Sequence, residues 1–530
     1  EAGKMATRII LLGLCTSFLV HAVTPPAGQT LGQPWPMPQS YQPTQDVQSL
    51  SQDKFMFRVS GQTCDILQAA VTRYFRLIFY PEGQRDTLKF RKRATIRYPS
   101  SLDELEVALA NPCEQYPSLG MDESYGLDIQ SGSGKLSASS VWGILRGLET
   151  FSQIVYQDDE DTFVVNNTKI KDFPRFSHRG ILLDTSRHFL PVAAIKKSLD
   201  AYSYNKFNVF HWHIVDDQSF PYQSPTYPDL SIKGAYNPYT HVYTQEDVKE
   251  IIEYARLRGI RVVPEFDTPG HTQSWGKGQP GLLTDCGEGK FGPIDPSVSS
   301  TYDFLKEFMR ELTKVFPDKY IHLGGDEVSF DCWKANANIT AFMKKMGYGT
   351  DYSKLEQYYE QNLLDIMAAL QHGYVIWQEV IDNGVKVRPD TVVEVWKGKY
   401  QEELGKVTSL GYHTLLSSCW YLDGISYGSD WKKYYACEPT AFNGTEGQKE
   451  LVIGGEACLW AEYVDATNVL SRLWPRASAP AEKLWGRVDL TDVNAAAPRF
   501  AEHRCRMVRR GIPAEPESGP SYCKHEYNYR

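Results

Sequence analysis

Asp326 and Glu327 are adjacent carboxylates at the end of the run Lys319-Tyr320-Ile321-His322-Leu323-Gly324-Gly325. The apolar stretch predicts a short buried strand. Side chains alternate across a strand, so neighbouring acids would ordinarily face opposite ways. The two glycines let the backbone leave the pleat, and both acids can then project from the strand end into one cavity. Acids at the C-terminal end of a strand are where a parallel α/β enzyme places its chemistry. A solvated acidic turn is the alternative for this hexapeptide alone.

The elements that must position this pair recur along the chain. From Arg179 onward an apolar run, a polar tip and a helical stretch alternate. The runs are 180–184, 207–213, 260–266, 320–323, 374–377, 392–396, 414–417 and 451–454. Eight such units over roughly 300 residues predict a (β/α)8 TIM barrel, an α/β fold, over residues 174–530. One connecting helix is explicit: Thr244 caps it, Gln245-Glu246-Asp247 fill its first turn, and Gly259 ends it. Residues 35–173 have a different texture. They mix strand-like Phe55–Val59 with the helical spacing of Val141, Trp142, Leu145, Leu148, Phe151 and Ile154, and predict a smaller α+β domain before the barrel.

The polar tips of the runs carry Arg187, His211, His213, Asp216, Asp217, Asp267, His271, Asp326, Glu327, Trp377, Glu379, Trp396, Trp420, Tyr421, Asp423, Trp460 and Glu462. Acids, one arginine and several aromatic rings describe a sugar site: rings stack on the pyranose, while arginine and carboxylates bind hydroxyls. Phosphate is a poor fit without clustered Lys and Arg or a Gly-rich loop opening a helix. His211 and His213 share a strand face and, with His271 and Asp216, could ligate a metal. The Phe-His-Trp-His setting equally suits buried, hydrogen-bonded histidines, and no metal is assigned. Gly324-Gly325-Asp326-Glu327 is also similar to the GGDE run of nucleotide cyclases, but those are cytosolic phosphate binders. A barrel that binds carbohydrate without catalysis is the remaining alternative, and a protonatable Glu327 beside Asp326 argues against it.

The chain of 530 residues has a net charge of −9, which argues against nucleic acid as a partner. Residues 5–22 combine Met5-Ala6-Thr7-Arg8, an apolar run from Ile9 to Val20 and a small-residue site at Val20-His21-Ala22, and predict a signal peptide. No later stretch approaches 18 uninterrupted apolar residues, so no membrane span is expected. Secretory entry permits disulfides. Ten cysteines minus Cys15 leave an odd number, so at least one is expected free. Sequons at Asn166, Asn338 and Asn443 are expected glycosylation sites.

Five segments together resemble glycoside hydrolase family 20, in particular the animal lysosomal β-N-acetylhexosaminidases. They are Arg179–His188, Phe210–Asp217, Glu265–His271, His322–Glu327 and Gly455–Trp460, and the similarity runs from about Trp35 to the C-terminus. The resemblance resolves a difficulty. An ordinary retaining glycosidase needs two carboxyls about 5–5.5 Å apart flanking the bond, which sequence neighbours are badly placed to do. In the family the substrate's own 2-acetamido oxygen attacks the anomeric carbon.

By analogy Glu327 is general acid and then base, and Asp326 orients the acetamido N–H and stabilises the oxazolinium-like intermediate. Trp377, Trp396 and Trp460 box the acetamido methyl, and Tyr421 bonds its carbonyl oxygen. Arg187, Asp423 and Glu462 take ring hydroxyls, and Asp216 with His271 tunes Glu327. Glu379 and Asp267 are read as structural partners, and Asp217 as either. No cofactor is implied.

The resemblance also implies bridges Cys64–Cys113, Cys286–Cys332 and Cys505–Cys523, with Cys458 free inside the last strand. Cys419 and Cys437 are left over, flank the loop carrying Tyr421 and Asp423, and are read as a fourth bridge. The implied partners are a glycan ending in N-acetylhexosamine, a related subunit in a homo- or heterodimer, and a lipid-transfer activator protein. The implied location is the lysosome, reached through the secretory pathway. Tyr421-Leu422-Asp423-Gly424 is β-like at Asp423, which in the β-type subunit favours neutral sugars and precedes an apolar residue where this chain has Gly424, and it lacks the Asn-Arg of the α type. The 286–291 segment looks shorter than the α-type loop used with the activator.

Overall fold

The computed structural model describes residues 30–82, 97–424, 426, 428–524 and 526. The signal peptide expected at 5–22 lies outside them. The first part of the chain builds a seven-stranded sheet from β1 (Ser40–Leu50), β2 (Met56–Gly61), β3 (Glu104–Leu109), β4 (Tyr125–Gln130), β5 (Ser133–Ala138), β6 (Tyr156–Gln157) and β7 (Phe163–Asp172). Its order is β1-β7-β4-β5-β3-β2, with β6 pairing β7. Strands β3 and β4 alternate buried and partly exposed residues, as a sheet with one covered face requires. Helices α1 (Asp65–Phe79) and α2 (Val141–Ile154) cover that face, and Leu67, Leu105, Leu127, Leu136 and Leu145 share one apolar core. Every residue of α2 is buried, because the helix lies between this sheet and the barrel.

The join between the two parts is ionic. Glu123 Oε1 accepts Arg146 Nε at 2.8 Å and Arg179 Nη2 at 2.6 Å, and all three side chains are buried. Arg146 also donates to Gly259 O at 2.7 Å, anchoring α2 to the turn before a barrel strand.

Strands β8 (His178–Asp184), β9 (Val209–His213), β10 (Arg261–Glu265), β13 (Tyr320–His322), β14 (Gly373–Trp377), β15 (Val392–Val395), β16 (His413–Leu416) and β17 (Val452–Leu459) close into a parallel barrel. All eight fall on the runs read from sequence. The last strand continues past the 451–454 reading, because Gly454-Gly455 does not end it. A Cβ on Gly454 would lie 1.7 Å from His178 O, and one on Gly455 2.2 Å from Leu416 O, so these glycines permit close strand approach instead. The antiparallel pair β11 (Leu283–Gly287) and β12 (Lys290–Ile294) is an insertion that the sequence reading did not resolve. The helix Gln245–Arg256 starts on a capping box between Thr244 and Asp247.

The barrel interior is layered. Val375, Val392 and Leu415 fill the bottom with Tyr320 and Ile453 packed against them. The middle is polar: His178, His211, His322, Glu265, Glu394 and Glu456 are all buried. The top, at the C-terminal strand ends, is Leu182, Trp377 and Cys458, with Trp396, Tyr421 and Trp460 against them. Disulfides join Cys64–Cys113, Cys286–Cys332, Cys419–Cys437 and Cys505–Cys523, and Cys458 is a buried free thiol. No helix among the described residues is long and apolar enough to cross a membrane.

Candidate active site

A turn with left-handed backbone presents the acid pair. Gly324 has φ +72°, Gly325 φ +96° and Glu327 φ +53°. Asp267 Oδ1 accepts the Gly325 N–H at 2.9 Å, and a Cβ on Gly324 would lie 1.7 Å from that same oxygen. A Cβ on Gly325 would lie 2.4 Å from Val380 Cγ2, so both glycines are required for dihedral and for space. The turn separates the acids: the Asp326 side chain is 12% exposed and that of Glu327 59%.

A chain of ionisable groups runs from the middle of the barrel to Glu327. Glu265 Oε2 meets His213 Nδ1 at 2.5 Å, and His213 Nε2 meets Asp216 Oδ2 at 2.8 Å. Asp216 Oδ1 lies 3.4 Å from His271 Nδ1, and His271 Nε2 lies 3.6 Å from Glu327 Oε2 and 3.8 Å from Asp326 Oδ2. Burial disfavours charge on His213, but Glu265 and Asp216 push it up to about 9. Burial likewise opposes the charges of Asp216 and His271. The hydrogen bond from His213 and the nearby His271 imidazolium nevertheless hold Asp216 far below the carboxylate range, and Asp216 and Glu327 hold the His271 imidazolium well above its ordinary value.

The two acids of the pair shift in opposite directions. The His271 imidazolium, 3.6 Å away, holds Glu327 below its usual value against partial burial. Asp326 is raised by burial and by Glu265, with His271 opposing, and its neighbour Asp267 is raised by burial and by Asp326 itself. A general acid must start protonated, and with its carboxyl held low Glu327 meets that condition in the free protein only toward acid pH.

The aromatic residues converge. Trp377 and Trp460 have ring centroids 6.3 Å apart, Tyr421 and Trp460 6.5 Å, and Trp396 and Tyr421 6.1 Å in a stacked pair. Trp377 Nε1 donates to Glu265 Oε1 at 2.8 Å, and Trp396 Nε1 to Glu379 Oε2 at 2.8 Å. Glu379 also binds Lys397 Nζ at 2.9 Å, so it acts on ring placement. Asp217 Oδ1 accepts the Gln273 N–H at 3.0 Å, a structural bond.

Arg187 sits between the acids and the rings. Its Nη1 meets Asp184 Oδ2 at 3.0 Å, its Nη2 Asp216 Oδ2 at 3.0 Å and its Nε Glu462 Oε1 at 3.6 Å, and its guanidinium lies 5.0 Å from the Trp460 ring centroid. Half-buried Asp423 is raised by burial and by Glu462, and its Oδ1 has no hydrogen-bond partner among the described residues.

Two strand-tip residues read from sequence lie elsewhere. Trp420 is in the outer core, donating to Tyr434 O at 3.0 Å, and His211 lies in the middle layer of the barrel. His211 Nδ1 meets Glu456 Oε2 at 2.7 Å and its Nε2 meets Glu265 Oε2 at 3.1 Å. Ligand atoms of His211, His322 and Glu394 do lie within 4.8 Å of one another, as do those of Asp216, Asp217 and His271 and those of Asp267, His271 and Asp326. With both His211 nitrogens engaged by carboxylates, hydrogen-bonded histidines describe the geometry better than metal ligands. The sequence reading missed Leu182 and Cys458 beneath the aromatic rings, and Glu265 as the group that links the histidines to Trp377. Strict alternation along β17 was the available signal for Cys458: Glu456, Cys458 and Trp460 share one face.

Of the sequons, Asn338 and Asn443 are exposed. Asn166 lies within β7 and is half-buried, its Nδ2 donating to Thr44 O at 2.8 Å and its Oδ1 accepting Tyr156 OH at 2.9 Å.

The chain matches the profile described as "Glycosyl hydrolase family 20, catalytic domain" over residues 176–488, and "beta-acetyl hexosaminidase like" over residues 34–154. It is 53% identical to "Beta-hexosaminidase subunit beta" of Felis catus, over 96% of this chain and 97% of that one. It is also 53% identical to "Beta-hexosaminidase subunit alpha" of Bos taurus, over 93% of this chain and 95% of that one. Among solved structures, a Flavobacterium johnsoniae chitobiase superposes with TM-score 0.79 at 31% identity, covering 90% of this chain and 73% of that one.

Proposed function

The chain belongs to glycosyl hydrolase family 20, and on that premise we propose that it removes terminal, non-reducing β-linked N-acetylglucosamine and N-acetylgalactosamine with retention of configuration. The observation that carries this reading is the pairing of an exposed acid, Glu327, with an aromatic pocket lined by Trp377, Trp396, Tyr421 and Trp460 at the same strand ends. An acetamido group is small, with a methyl end that suits rings and an amide end that needs partners. The pocket offers rings on several sides, and buried Asp326 is on hand to accept the amide N–H.

In this mechanism the substrate acetamido oxygen attacks the anomeric carbon and the glycosidic bond breaks as Glu327 donates its proton to the leaving oxygen. Asp326, as a carboxylate, holds the acetamido N–H and balances the positive charge that develops on the oxazolinium-like ring. Tyr421 donates to the acetamido carbonyl oxygen. Glu327, now a carboxylate, takes a proton from the water that opens the intermediate, which restores the acid. His271 carries positive charge next to both acids and is itself oriented by Asp216, so it positions and tunes rather than attacks. Arg187 binds ring hydroxyls with its planar fork, aided by Glu462 and Asp423.

The relatives are named as α and β subunits, which supports assembly of this chain with a like or related subunit. Identity to one of each type is equal, so subunit type rests on the site: Asp423-Gly424 supports neutral sugars. A lysosomal or secreted location, glycans at Asn338 and Asn443, and use of an activator protein complete the reading. The test compares an aryl N-acetylglucosaminide with the plain aryl glucoside. Selective turnover of the first is expected. Equal turnover would exclude acetamido participation, and turnover of neither would leave a binding protein.

A further inference from the structure

Tyr421 and Asp423 reach the site from one segment, yet they are held there by different means. The backbone of 420–422 runs beside β17: the Cys458 N–H donates to Trp420 O at 3.0 Å and the Leu422 N–H to Cys458 O at 2.8 Å. These two bonds flank Tyr421, which pairs with Cys458 as one more rung of the barrel sheet. Among the described residues Leu422 is the last of that pairing, and Asp423 lies just beyond it. The Asp423 carboxylate does not anchor itself either, since its Oδ1 has no hydrogen-bond partner among the described residues.

What holds the backbone around Asp423 is Arg476, a residue 3% exposed in the turn after the helix Val469–Leu473. Its Nη1 donates to Leu422 O at 2.6 Å and its Nη2 to Gly424 O at 3.4 Å, so one guanidinium takes the carbonyls on either side of Asp423. The fork is itself fixed. Its Nε donates to Asp430 Oδ2 at 2.9 Å, its Nη2 to the Tyr434 hydroxyl at 2.7 Å and its Nη1 to Arg472 O at 3.0 Å. Asp430, Tyr434 and the segment 421–424 all lie between Cys419 and Cys437, which are bridged. Apolar side chains of similar volume often stabilise a buried spot as well as an ion pair does. What the planar fork adds is orientation of the groups it binds.

We infer that Arg476 is a specificity-determining positioning residue: by gripping the carbonyls on either side of Asp423, it sets that carboxylate against the hydroxyls of the bound sugar. It acts through Asp423 and not through Tyr421, whose rung on β17 stands without it. Tyr434 also donates to Tyr421 O at 3.2 Å, a contact that needs the hydroxyl and not the guanidinium. The inference rests on the proposed activity and deepens it, because it separates control of hydroxyl recognition from control of acetamido recognition.

Arg476→Lys tests this, since it keeps a cation beside Asp430 and loses the fork. The quantities read are kcat/KM on an aryl N-acetylglucosaminide and the N-propionyl to N-acetyl ratio of kcat/KM. They are measured for wild type, Arg476→Lys, Asp423→Ala and the two changes combined. Misplacing a binding group by an ångström costs up to about 10²-fold, so Arg476→Lys should lower kcat/KM by roughly 10- to 100-fold. In the Asp423→Ala background the same change should cost about 2-fold or less, and the acyl ratio should keep its wild-type value. No loss in Arg476→Lys, an equal loss in both backgrounds, or an acyl ratio that moves with the loss overturns the inference, as does an Asp423→Ala variant with wild-type kcat/KM. Arg476→Gln combined with Asp430→Asn removes both charges of the pair together, and it must repeat the pattern if Arg476→Lys does not fold. A wild type that does not turn over the aryl N-acetylglucosaminide overturns the activity itself and this inference with it.

Discussion

His271 Nε2 and Glu327 Oε2 face each other across 3.6 Å, and both residues hold left-handed backbone, with φ of +55° and +53°. Neither is a glycine, so each conformation costs energy that the surrounding bonds must offset. The result is an imidazolium kept beside the exposed acid, and this sets the protonation of Glu327 before substrate arrives.

The pH dependence follows from that contact. The charge of His271, 3.6 Å away, holds the Glu327 carboxyl below its ordinary value. Catalysis needs that carboxyl protonated, so kcat/KM should be highest in acid and fall as pH rises through the depressed value. His271→Asn removes the cation, and the Glu327 pKa should rise. The descending limb of the kcat/KM profile should therefore move to higher pH, with a lower maximum. A limb that stays in place or moves toward acid would remove His271 from the tuning of Glu327.

Glu327→Gln keeps shape but carries no transferable proton. General-acid help contributes about 10²- to 10⁴-fold, and kcat on an aryl N-acetylglucosaminide should drop by that order with little change in KM. Steady-state kinetics decide the matter, since near-wild-type kcat contradicts the assignment.

Cys458 lies under the aromatic rings and is fully buried. It forms the base of the pocket with Leu182, its partner in the β17–β8 register. Cys458→Ala should make room for a longer acyl chain. A methylene in an apolar pocket is worth about 10- to 200-fold in discrimination, and the variant should recover part of it, raising the N-propionyl to N-acetyl ratio of kcat/KM. An unchanged ratio would place the acyl group elsewhere.

Substrate charge should be read at Asp423. A Cβ on Gly424 meets nothing within 4 Å, so an arginine fits there without rebuilding the loop. Wild type should favour unsulfated over 6-sulfated aryl N-acetylglucosaminide, because Asp423 and Glu462 are both negative near the same hydroxyls. Asp423→Asn combined with Gly424→Arg should shift the turnover ratio toward the sulfated substrate. Wild-type preference for the sulfated compound would contradict the β-like reading.

Stability should depend on the joint between sheet and barrel. Burial disfavours the Glu123 carboxylate, but Arg179 and Arg146 keep it below its ordinary value. The stabilisation is present above the unfolded carboxyl pKa and is lost as pH falls through the lower folded value. Glu123→Ala leaves two buried guanidinium groups without their carboxylate, a loss of about 3–5 kcal/mol. Thermal or denaturant unfolding should show the loss at neutral pH and a smaller difference in acid.

Much of this protein is legible in one dimension because its signals are local. Strand periodicity placed all eight barrel strands, since a strand buried on both faces reads as an apolar run whatever surrounds it. Thr244 and Asp247 announced a helix start for the same reason. The hairpin β11–β12 escaped because Cys286-Gly287-Glu288-Gly289-Lys290 has little apolar content, and its order comes from a bridge to Cys332, 46 residues away.

The sequence by itself determined which residues arrive at the strand ends: register and alternation are properties of the chain, and they send Asp326, Glu327, Trp377, Trp396 and Trp460 to one rim. Tertiary structure alone decided what those residues become there. The charge on His271 depends on Asp216 and Glu327, the tilt of Trp377 on Glu265, and the neighbours of Glu327 on a hairpin from another unit. Each of these is an interaction between groups far apart in the chain, whose strength depends on distance and burial, and neither quantity exists until the barrel has closed.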